Sequence, residues 1–361
     1  MTRASTESVN TLHDADRRGF ASDNYAGAHP EVLAALVAAN GGHQTSYGAD
    51  VYTERLAEVM AGHFGSQAEV FPVFNGTGAN VLALQSVLPR WGAVVCSASA
   101  HINTDENAAP ERVGALKLLT VDTPDGKLTP DLIDRQAWGW GFEHRAQPLA
   151  VSITQSTELG TLYSVAEVTA IAEHVHALGM WLHVDGARLA NAAASLGTTL
   201  GEITTAAGVD ILSFGGTKNG LLFGEAVVVV NPDASSGLLY LRKMNMQLAS
   251  KMRFVSAQLL ALLDGDLWLR SARHANAMAA RLRAAVSGLD GVTLTQPTDV
   301  NAVFAVVAPD AAERLRASFP FYEWDPATHE VRWMCSFDTT PDDVDRFAAA
   351  IRREVAASHP A

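Results

Sequence analysis

Short apolar stretches alternate with helix-like stretches through residues 70–230 of this chain. The apolar stretches have the length of buried strands, and they lie at residues 70–74, 93–96, 115–121, 148–154, 180–184, 209–214 and 225–230. Segments with helical periodicity or helix-start signals separate several of them, as at residues 79–88 and 165–178. Strands that alternate with helices along the chain predict an α/β fold with a mostly parallel central sheet.

The pattern changes after residue 267. From there the order is helix, strand, strand, helix, strand, helix, which predicts a smaller α+β unit. A chain of 361 residues is long enough to form two domains of ordinary size. We therefore expect a flexible N-terminal tail at residues 1–19, a large α/β domain at residues 20–250 and a small C-terminal α+β domain at residues 251–361.

Composition narrows the classes of partner. The formal net charge of −13 argues against nucleic acid or an anionic membrane as a partner, although a local site can still bind phosphate. Cys96 and Cys335 lack the spacing of metal ligands, which predicts no metal site and is typical of a protein from the reducing cytoplasm. No apolar run reaches the roughly 18 residues of a membrane span, and residues 1–19 lack the apolar core of a signal peptide.

Polar residues follow five of the predicted strands, at or just beyond the point where each strand ends. In an open parallel sheet, ligands bind outside the carboxyl ends of the strands. We therefore expect one site at this edge, built from five positions: Gly76 with Thr77, His101, Gln155, Asp185 and Lys218. Each residue alone is as compatible with an ordinary loop as with a site, and only their shared position favours the site.

The turn from Asn75 to Gly78 lies between a predicted strand and a predicted helix. The start of a helix after such a turn is a common phosphate-binding site. A nicotinamide-binding fingerprint requires Gly-x-Gly-x-x-Gly, and Val81 occupies the last of these positions. No nucleotide-binding Gly-x-x-x-x-Gly-Lys-Ser/Thr motif occurs either. The turn is therefore compatible with a phosphate site of another class or with a purely structural role.

Lys218 lies in a glycine-rich loop, Phe214-Gly-Gly-Thr-Lys218-Asn-Gly220. A loop lysine is usually a solvated surface residue, but an earlier strand ends within the segment His183-Val-Asp185-Gly-Ala-Arg188. A strand ending in aspartate, followed by a later strand ending in lysine, resembles the fold-type-I pyridoxal phosphate (PLP) enzymes. In those enzymes the lysine binds the cofactor and the aspartate pairs with the pyridinium nitrogen.

Further segments between residue 20 and about residue 351 make the resemblance more specific. They are Ser22-Asp-Asn24, Tyr47-Gly48, Phe74-Asn-Gly76-Thr77-Gly-Ala-Asn80, His101, Thr154-Gln-Ser-Thr-Glu-Leu-Gly160 and Ser250-Lys-Met-Arg253. Together with the lysine and aspartate segments, they resemble the low-specificity L-threonine aldolases of the β-eliminating lyase group. This resemblance implies a fold-type-I, PLP-dependent enzyme that forms a homotetramer from two dimers, with active sites at the dimer interface.

The resemblance also implies a role for each matching residue. The implied cofactor-binding set is Gly76, Thr77, His101, Asp185, Arg188, Lys218 and Arg253. The lysine would hold PLP as an internal aldimine, the histidine would stack on its ring, and the aspartate would hold its ring nitrogen. The glycine and threonine would bind its phosphate, helped by the arginine at position 253 from the neighbouring subunit.

A small amino acid is the substrate that the resemblance implies. The residues that would bind its carboxylate are Ser22, Arg188 and Arg332, and a bidentate arginine suits that task. The implied reaction is retro-aldol cleavage of a β-hydroxy-α-amino acid, such as threonine, allo-threonine or phenylserine, to glycine and an aldehyde. Lys218, Asp185 and His101 would be catalytic, with His101 as the first candidate for moving the β-hydroxyl proton directly or through water.

Two segments depart from the family's pattern. Gln155-Ser-Thr-Glu158 stands where some members have Glu-Asn-Thr-His, and Tyr47-Gly-Ala49-Asp50 stands where many have Tyr-Gly-Asp-Asp. With fewer basic groups near the β-hydroxyl and more space at Ala49, we expect broad acceptance at Cβ. β-Elimination, transamination and α-methylserine-type cleavage use the same cofactor residues and stay open, as does a catalytically silent binding protein.

Overall fold

The computed structural model describes residues 12–358 of the chain. Its larger sheet contains the strands β1 Glu69–Val73, β2 Gly92–Ser97, β3 Lys117–Val121, β4 Gln147–Thr154, β5 Trp181–Gly186, β6 Ile211–Gly215 and β7 Glu225–Val229. Their order across the sheet is β1-β7-β6-β5-β4-β2-β3. Of these seven strands, β7 alone runs in the opposite direction to the other six. The prediction of an α/β fold with a mostly parallel sheet is confirmed.

Helices connect the strands and cover the sheet. They are α1 Pro30–Ala39, α2 Val51–Phe64, α3 Gly76–Val87, α4 His101–Thr104, α5 Ala109–Arg112, α6 Pro130–Asp134, α7 Val165–Ala177, α8 Leu189–Leu196, α9 Leu238–Met244, α10 Arg253–Leu263, α11 Leu267–Val286, α12 Pro309–Ser318 and α13 Pro341–Ser358. The predicted capping box begins α7. Ser164 Oγ accepts a hydrogen bond from the N–H of Glu167 at 3.2 Å, and the Glu167 carboxylate accepts one from the N–H of Ser164 at 2.8 Å.

The central strands are buried on both faces, which explains their nearly continuous apolar sequence. Neighbouring residues along a strand point to opposite faces of the sheet. Ile211 of β6 packs in a core with α3 and α9, whereas Leu212 packs in a second core with α2, α7 and α10. The sheet is therefore the middle layer of an α/β/α arrangement, and its strand ends are fixed from both sides.

A smaller antiparallel sheet follows in the chain. Its strands are β8 Val292–Leu294, β9 Ala302–Val307, β10 Tyr322–Asp325 and β11 Glu330–Met334, in the order β10-β11-β9-β8. Phe20 joins the core of this unit, because its N–H donates to Pro320 O at 2.7 Å and its carbonyl accepts from the N–H of Met334 at 2.8 Å. The residues that follow Phe20 are thus attached to the smaller sheet.

The helix α10 belongs to the core of the larger sheet, where Val255 and Leu259 are buried. The next helix, α11, contacts both α8 of the larger unit and α13 of the smaller one. We therefore propose that the boundary between the two domains lies near the start of α11, later than the residue 250 expected from sequence. Residues 1–11 of the expected N-terminal tail lie outside the described residues.

No helix within residues 12–358 combines the length and the apolar character that a membrane crossing requires.

Candidate active site

Four of the five predicted strand ends meet at one cavity. This inner cavity, of about 350 Å³, is lined by Gly76, Thr77, His101, Asp185 and Lys218. Gln155, the fifth predicted position, does not line it. Its side chain is buried. The Nε2 of Gln155 donates to the carbonyl oxygen of Tyr163 at 2.7 Å, and its Oε1 accepts from the N–H of Tyr163 at 3.1 Å. The prediction that Gln155 joins the site is therefore wrong, because its polar groups are satisfied within the β4–α7 loop.

Lys218 lies in a short 3₁₀ turn directly after β6. Burial and the nearby Arg188 guanidinium lower the pKa of the Lys218 amine, and Asp23, Asp185 and Glu225 oppose this shift. The turn is held in place by Glu225, whose Oε2 accepts a hydrogen bond from the N–H of Gly216 at 2.6 Å. Burial raises the pKa of Glu225 to about 7. A lysine with a lowered pKa has a larger fraction of neutral, nucleophilic amine.

The close packing behind this lysine explains its glycine neighbours. A Cβ on Gly215 would lie 2.4 Å from the carbonyl oxygen of Ala187, a contact that backbone atoms cannot relieve easily. The glycine therefore lets the lysine loop approach the segment that follows Asp185.

Asp185 ends β5 and is only 4% exposed. Its Oδ1 accepts a hydrogen bond from the N–H of Ala187 at 3.0 Å, and its Oδ2 accepts one from Asn80 Nδ2 at 2.9 Å. These bonds fix a buried carboxylate that also faces the inner cavity. Asn80 was not predicted as a site residue, although it lies in the Gly76–Asn80 segment that the sequence singles out.

His101 begins α4, and two carboxylates lie near its ring. Nδ1 is 2.8 Å from Glu106 Oε1, and Nε2 is 3.7 Å from Asp105 Oδ2. The hydrogen bond to Glu106 raises the pKa of His101 against the opposing effect of burial. The same Glu106 oxygen accepts from Asn80 Nδ2 at 2.8 Å, so Asn80 links Glu106 to Asp185. This network fixes the orientation of the imidazole.

The atoms of His101, Glu106 and Asp185 lie close enough to suggest a metal site, since one ligand atom from each lies within 4.8 Å of the others. Hydrogen bonds from Asn80 to both carboxylates, and from His101 to Glu106, already supply partners for these oxygens. The cluster is therefore accounted for as a hydrogen-bonded network.

The N-terminus of α3 faces the inner cavity at Gly76 and Thr77. Asn75 caps the helix by accepting from the N–H of Gly78 at 2.8 Å, and within residues 12–358 the N–H groups of Gly76 and Thr77 donate to no protein acceptor. A Cβ added at Gly76 would meet nothing within 4 Å, so the space in front of it is open. Free N–H groups at the start of a helix favour an anion such as phosphate.

A second cavity, the outer cavity, adjoins the first and has a volume of about 720 Å³. It shares Lys218 and His101 with the inner cavity and is also lined by Ser22, Arg188 and Arg332. The sequence-predicted substrate residues therefore lie beside the sequence-predicted cofactor residues.

The two arginines of the outer cavity differ in their partners. Arg188 forms a bidentate pair with the buried Asp23. Arg332 donates one long hydrogen bond to Ala21 O at 3.3 Å, its Nε is buried without a partner, and it makes no ion pair within the described part of the chain. Burial and the positive charge of Arg188 lower the pKa of Arg332 to about 10. Its guanidinium carbon lies 4.5 Å from the ring centre of Trp324, within the range of a cation–π contact.

Comparison with known proteins agrees with this geometry. Residues 19–310 match the family model described as beta-eliminating lyase. A low-specificity L-threonine aldolase from a Pseudomonas species is 44% identical over 94% of this chain and 98% of its own length. Another, from Pseudomonas aeruginosa, is 44% identical over 92% of this chain and 96% of its own length. The chain belongs to the beta-eliminating lyase family.

A solved structure supports the same assignment. The threonine aldolase from Leishmania major superposes with a TM-score of 0.89 at 29% identity, covering 94% of this chain and all of the other. The resemblance to low-specificity L-threonine aldolases, and with it the prediction of a PLP-dependent lyase, is confirmed.

The residues present fit PLP. A beta-eliminating lyase needs an amine to bind the cofactor, an acid for its ring nitrogen and donors for its phosphate. Lys218, the buried Asp185 and the free N–H groups at Gly76 and Thr77 supply these around one cavity.

Arg253 is the predicted cofactor residue that a single chain of this lyase does not bring to the site. It lines a separate cavity of about 500 Å³ with Lys251 and residues 42–46, and its Nε is buried without a partner. The space beside Gly78, at the start of α3, is occupied by the side chain of Gln247 and not by Arg253. Gln247 accepts a hydrogen bond from the N–H of Phe74 at 3.0 Å.

Asp50, which follows the departure at Ala49, has a structural role. Asp50 caps α2 by accepting from the N–H groups of Tyr52 and Thr53 at 3.1 and 2.9 Å, and it is 3% exposed. Asp50 therefore stabilises a helix, and it lines neither the inner nor the outer cavity of the lyase.

Proposed function

We propose that this chain cleaves β-hydroxy-α-amino acids, such as threonine and allo-threonine, to glycine and an aldehyde. One observation carries the proposal. The low-pKa amine of Lys218 lies on both cavities, with the buried Asp185 on one side and the unpaired guanidinium of Arg332 on the other. An amino acid bound by its carboxylate at Arg332 thus has its Cα near the lysine that binds the cofactor.

PLP supplies the electron sink that accepts the electron pair left on Cα when the Cα–Cβ bond breaks. In this proposal Lys218 binds the cofactor, and the α3 N-terminus at Gly76 and Thr77 holds its phosphate. Asp185 would hold the ring nitrogen in its protonated form with its fixed carboxylate. His101 would lie against the ring, with its orientation set by Glu106.

The substrate carboxylate is bound by Arg332, with Ser22 and Arg188 beside it. Arg332 has no competing carboxylate among the described residues, so it offers two N–H groups to a new one. Arg188 is already paired with Asp23, and its role is to hold the wall of the outer cavity in place.

The outer cavity also has room for the substituent on Cβ. Its wall includes Leu159, Tyr322 and Trp324, and its volume of about 720 Å³ exceeds what a methyl group requires. We propose that the enzyme accepts both threonine diastereomers and an aromatic substituent, as in phenylserine.

We propose a homotetramer built from two dimers, in which Arg253 completes the phosphate site of the adjacent subunit. Large exposed apolar side chains support an interface near Arg253, because Tyr47, Tyr240 and Met246 are between 50% and 79% exposed. A cytoplasmic location is proposed from the two free, buried thiols of Cys96 and Cys335.

The experiment is a product assay on purified protein supplied with PLP. Glycine and an aldehyde in equal amounts from threonine, allo-threonine and phenylserine are expected. A 2-oxo acid with ammonia would instead indicate β-elimination and overturn the proposal. Lys117→Ala, an exposed lysine on β3, is the matched control for Lys218→Ala and should retain full activity.

A further inference from the structure

Glu158 occupies the loop between β4 and α7, in the segment Gln155-Ser-Thr-Glu158 that departs from the family pattern. Its Oε1 accepts two hydrogen bonds, from the N–H of His101 at 2.7 Å and from Thr154 Oγ1 at 2.9 Å. These bonds fix the carboxylate at the junction between the outer cavity and a pocket of about 50 Å³ beside Asp185. Lys218 and Arg188 line both spaces with it.

We propose that Glu158 is the base that removes the β-hydroxyl proton of the substrate, an inference that rests on the proposed aldol cleavage. Its Oε2 accepts no hydrogen bond from any other described residue. One oxygen of the carboxylate is thus committed to the scaffold, and the other has no competing donor in the two spaces that Glu158 lines.

The geometry favours Glu158 over His101 for this step. The carboxylates of Glu106 and Asp105 lie 2.8 and 3.7 Å from the two ring nitrogens of His101. They favour protonation of the ring, and a protonated imidazole has no lone pair with which to accept a proton. Glu158 has no cation within ion-pair distance in residues 12–358 that would suppress its basicity.

The surroundings of Glu158 also favour its role as a base. Burial, with a further contribution from Asp185, raises the pKa of Glu158 above its usual value. A carboxylate with a raised pKa is a stronger base that still ionises near neutral pH. The other titratable or charged groups that line its two spaces are His101, Asp105, Glu106, Arg188, Lys218, Glu323, Tyr322 and Arg332.

The step balances without an added reactant. The β-hydroxyl proton moves to Glu158, the C–O bond becomes a carbonyl as the Cα–Cβ bond breaks, and the electron pair stays on Cα. Cα then takes up one proton, and Glu158 returns its proton to the solvent. One hydroxyl hydrogen is lost and one hydrogen is gained at Cα, so the products are glycine and the aldehyde.

The test is Glu158→Gln, because the glutamine oxygen can still accept from His101 and Thr154. We expect kcat for threonine and phenylserine to fall about 10²–10⁴-fold, the range that a positioned base contributes. The fall of kcat at acidic pH, which reports protonation of Glu158, should also disappear. Exchange of the glycine α-proton with deuterated solvent has no hydroxyl step and should stay within about threefold of wild type, as should the affinity for glycine read from the cofactor absorbance.

Two further variants separate chemistry from folding. Glu158→His supplies another base at this position and should restore part of the lost cleavage rate. Glu173→Gln removes an exposed carboxylate on α7 that lines neither of the two spaces, and it should leave cleavage unchanged.

Four results would overturn the inference. Glu158→Gln could retain the wild-type cleavage rate and acidic limb, or it could lose glycine exchange as severely as cleavage, which would indicate a structural role. Equal loss in Glu158→Gln and Glu158→His, with glycine exchange also lost, would indicate the same. A wild type that exchanges glycine protons but cleaves no substrate would overturn the proposed function and this inference together, whereas a cleaving wild type with an unaffected Glu158→Gln overturns the inference alone.

Discussion

Arg188 and Asp23 form a bidentate ion pair, with Nε to Oδ2 at 2.7 Å and Nη2 to Oδ1 at 3.0 Å. Asp23 is 3% exposed and accepts a third hydrogen bond from Asn301 Nδ2 at 3.1 Å. The charge of Arg188 is therefore balanced before any substrate arrives. Arg332, the other arginine of the outer cavity, has no such partner in the described residues, and the two arginines thus have different tasks.

Removal of Asp23 should destabilise the fold. Asp23→Ala leaves the Arg188 guanidinium buried without its carboxylate, which costs about 3–5 kcal/mol in comparable pairs. The measurement is urea unfolding, with Asp345→Ala as the control because that aspartate forms an exposed pair with Arg281. The control should change the free energy of unfolding by about 1 kcal/mol or less. Equal, small effects in both variants would contradict the role given to the buried pair.

The same pair has a definite pH dependence. Although burial opposes ionisation, Arg188 lowers the pKa of Asp23 below its usual value. A carboxylate with a lowered pKa in the folded state contributes stability that is complete above its unfolded pKa, near 3.9, and is lost as the pH falls through the folded value. The difference in unfolding free energy between wild type and Asp23→Asn should therefore shrink below about pH 4. A difference that stays constant down to pH 2 would rule this out.

Arg332→Gln should weaken substrate binding and leave cofactor binding intact. Loss of charged hydrogen bonds costs about 1.5–3 kcal/mol, which corresponds to a rise in KM of about ten- to hundredfold. Arg332→Lys keeps the charge but not the planar pair of donors, so its KM should lie between those of wild type and Arg332→Gln. Steady-state kinetics with threonine, together with the cofactor content, test this. An unchanged KM in both variants would exclude Arg332 from carboxylate binding.

Lys218→Ala should abolish turnover and the borohydride-reducible link to PLP while the fold stays intact. Purified wild type should be yellow, because a cofactor bound through lysine absorbs visible light. Absorbance, peptide mapping after reduction and circular dichroism measure the three properties. A reducible link that persists in the variant would assign the cofactor to another lysine.

Asp185→Asn should lower kcat about 10²–10³-fold, as expected when one preorganised charge near a reacting group is removed. Asn80 can still bond the amide, so the local packing should survive. Substrate affinity should therefore change little, and kcat and kcat/KM should fall together. Near wild-type turnover would refute the role assigned to the carboxylate.

His101→Phe and His101→Asn separate stacking from polarity. The phenyl ring keeps a flat surface against the cofactor, so His101→Phe should bind PLP more tightly than His101→Asn. Both should cleave more slowly than wild type, because the link from the ring to Glu106 is lost. The rates for threonine, allo-threonine and phenylserine in both variants give the comparison, and unchanged rates and ratios would remove His101 from the site.

Part of this site could be predicted from sequence for a topological reason. Strand and helix alternation determines which ends of β1, β2, β5 and β6 share an edge, and so places Gly76, His101, Asp185 and Lys218 together. Gln155 fits the same rule but is bound by the backbone of Tyr163, eight residues ahead. A side chain's partner within its own loop is not visible in the spacing of strands.

Other features depend on contacts between distant parts of the chain. Asp23 and Arg188 are 165 residues apart, and nothing in the sequence of either segment indicates that these two side chains form an ion pair. The strand β10 was missed because it is a short edge strand whose first two residues are exposed and which lacks a buried alternation. Its Trp324 nevertheless contacts the guanidinium of Arg332.

The two hydrogen bonds that fasten Phe20 to Pro320 and Met334 have a mechanical consequence. Ser22 lies two residues beyond Phe20, and Arg332 lies two residues before Met334, so both residues that we propose to bind the substrate carboxylate are anchored to the smaller sheet. The ring of Phe20 stacks on Phe347 with centroids 4.2 Å apart, deep in that unit. Truncation of the Phe347 side chain, far from the reacting atoms, should therefore shift Ser22 and Arg332 relative to Lys218. The expected result is a change in the affinity for substrate.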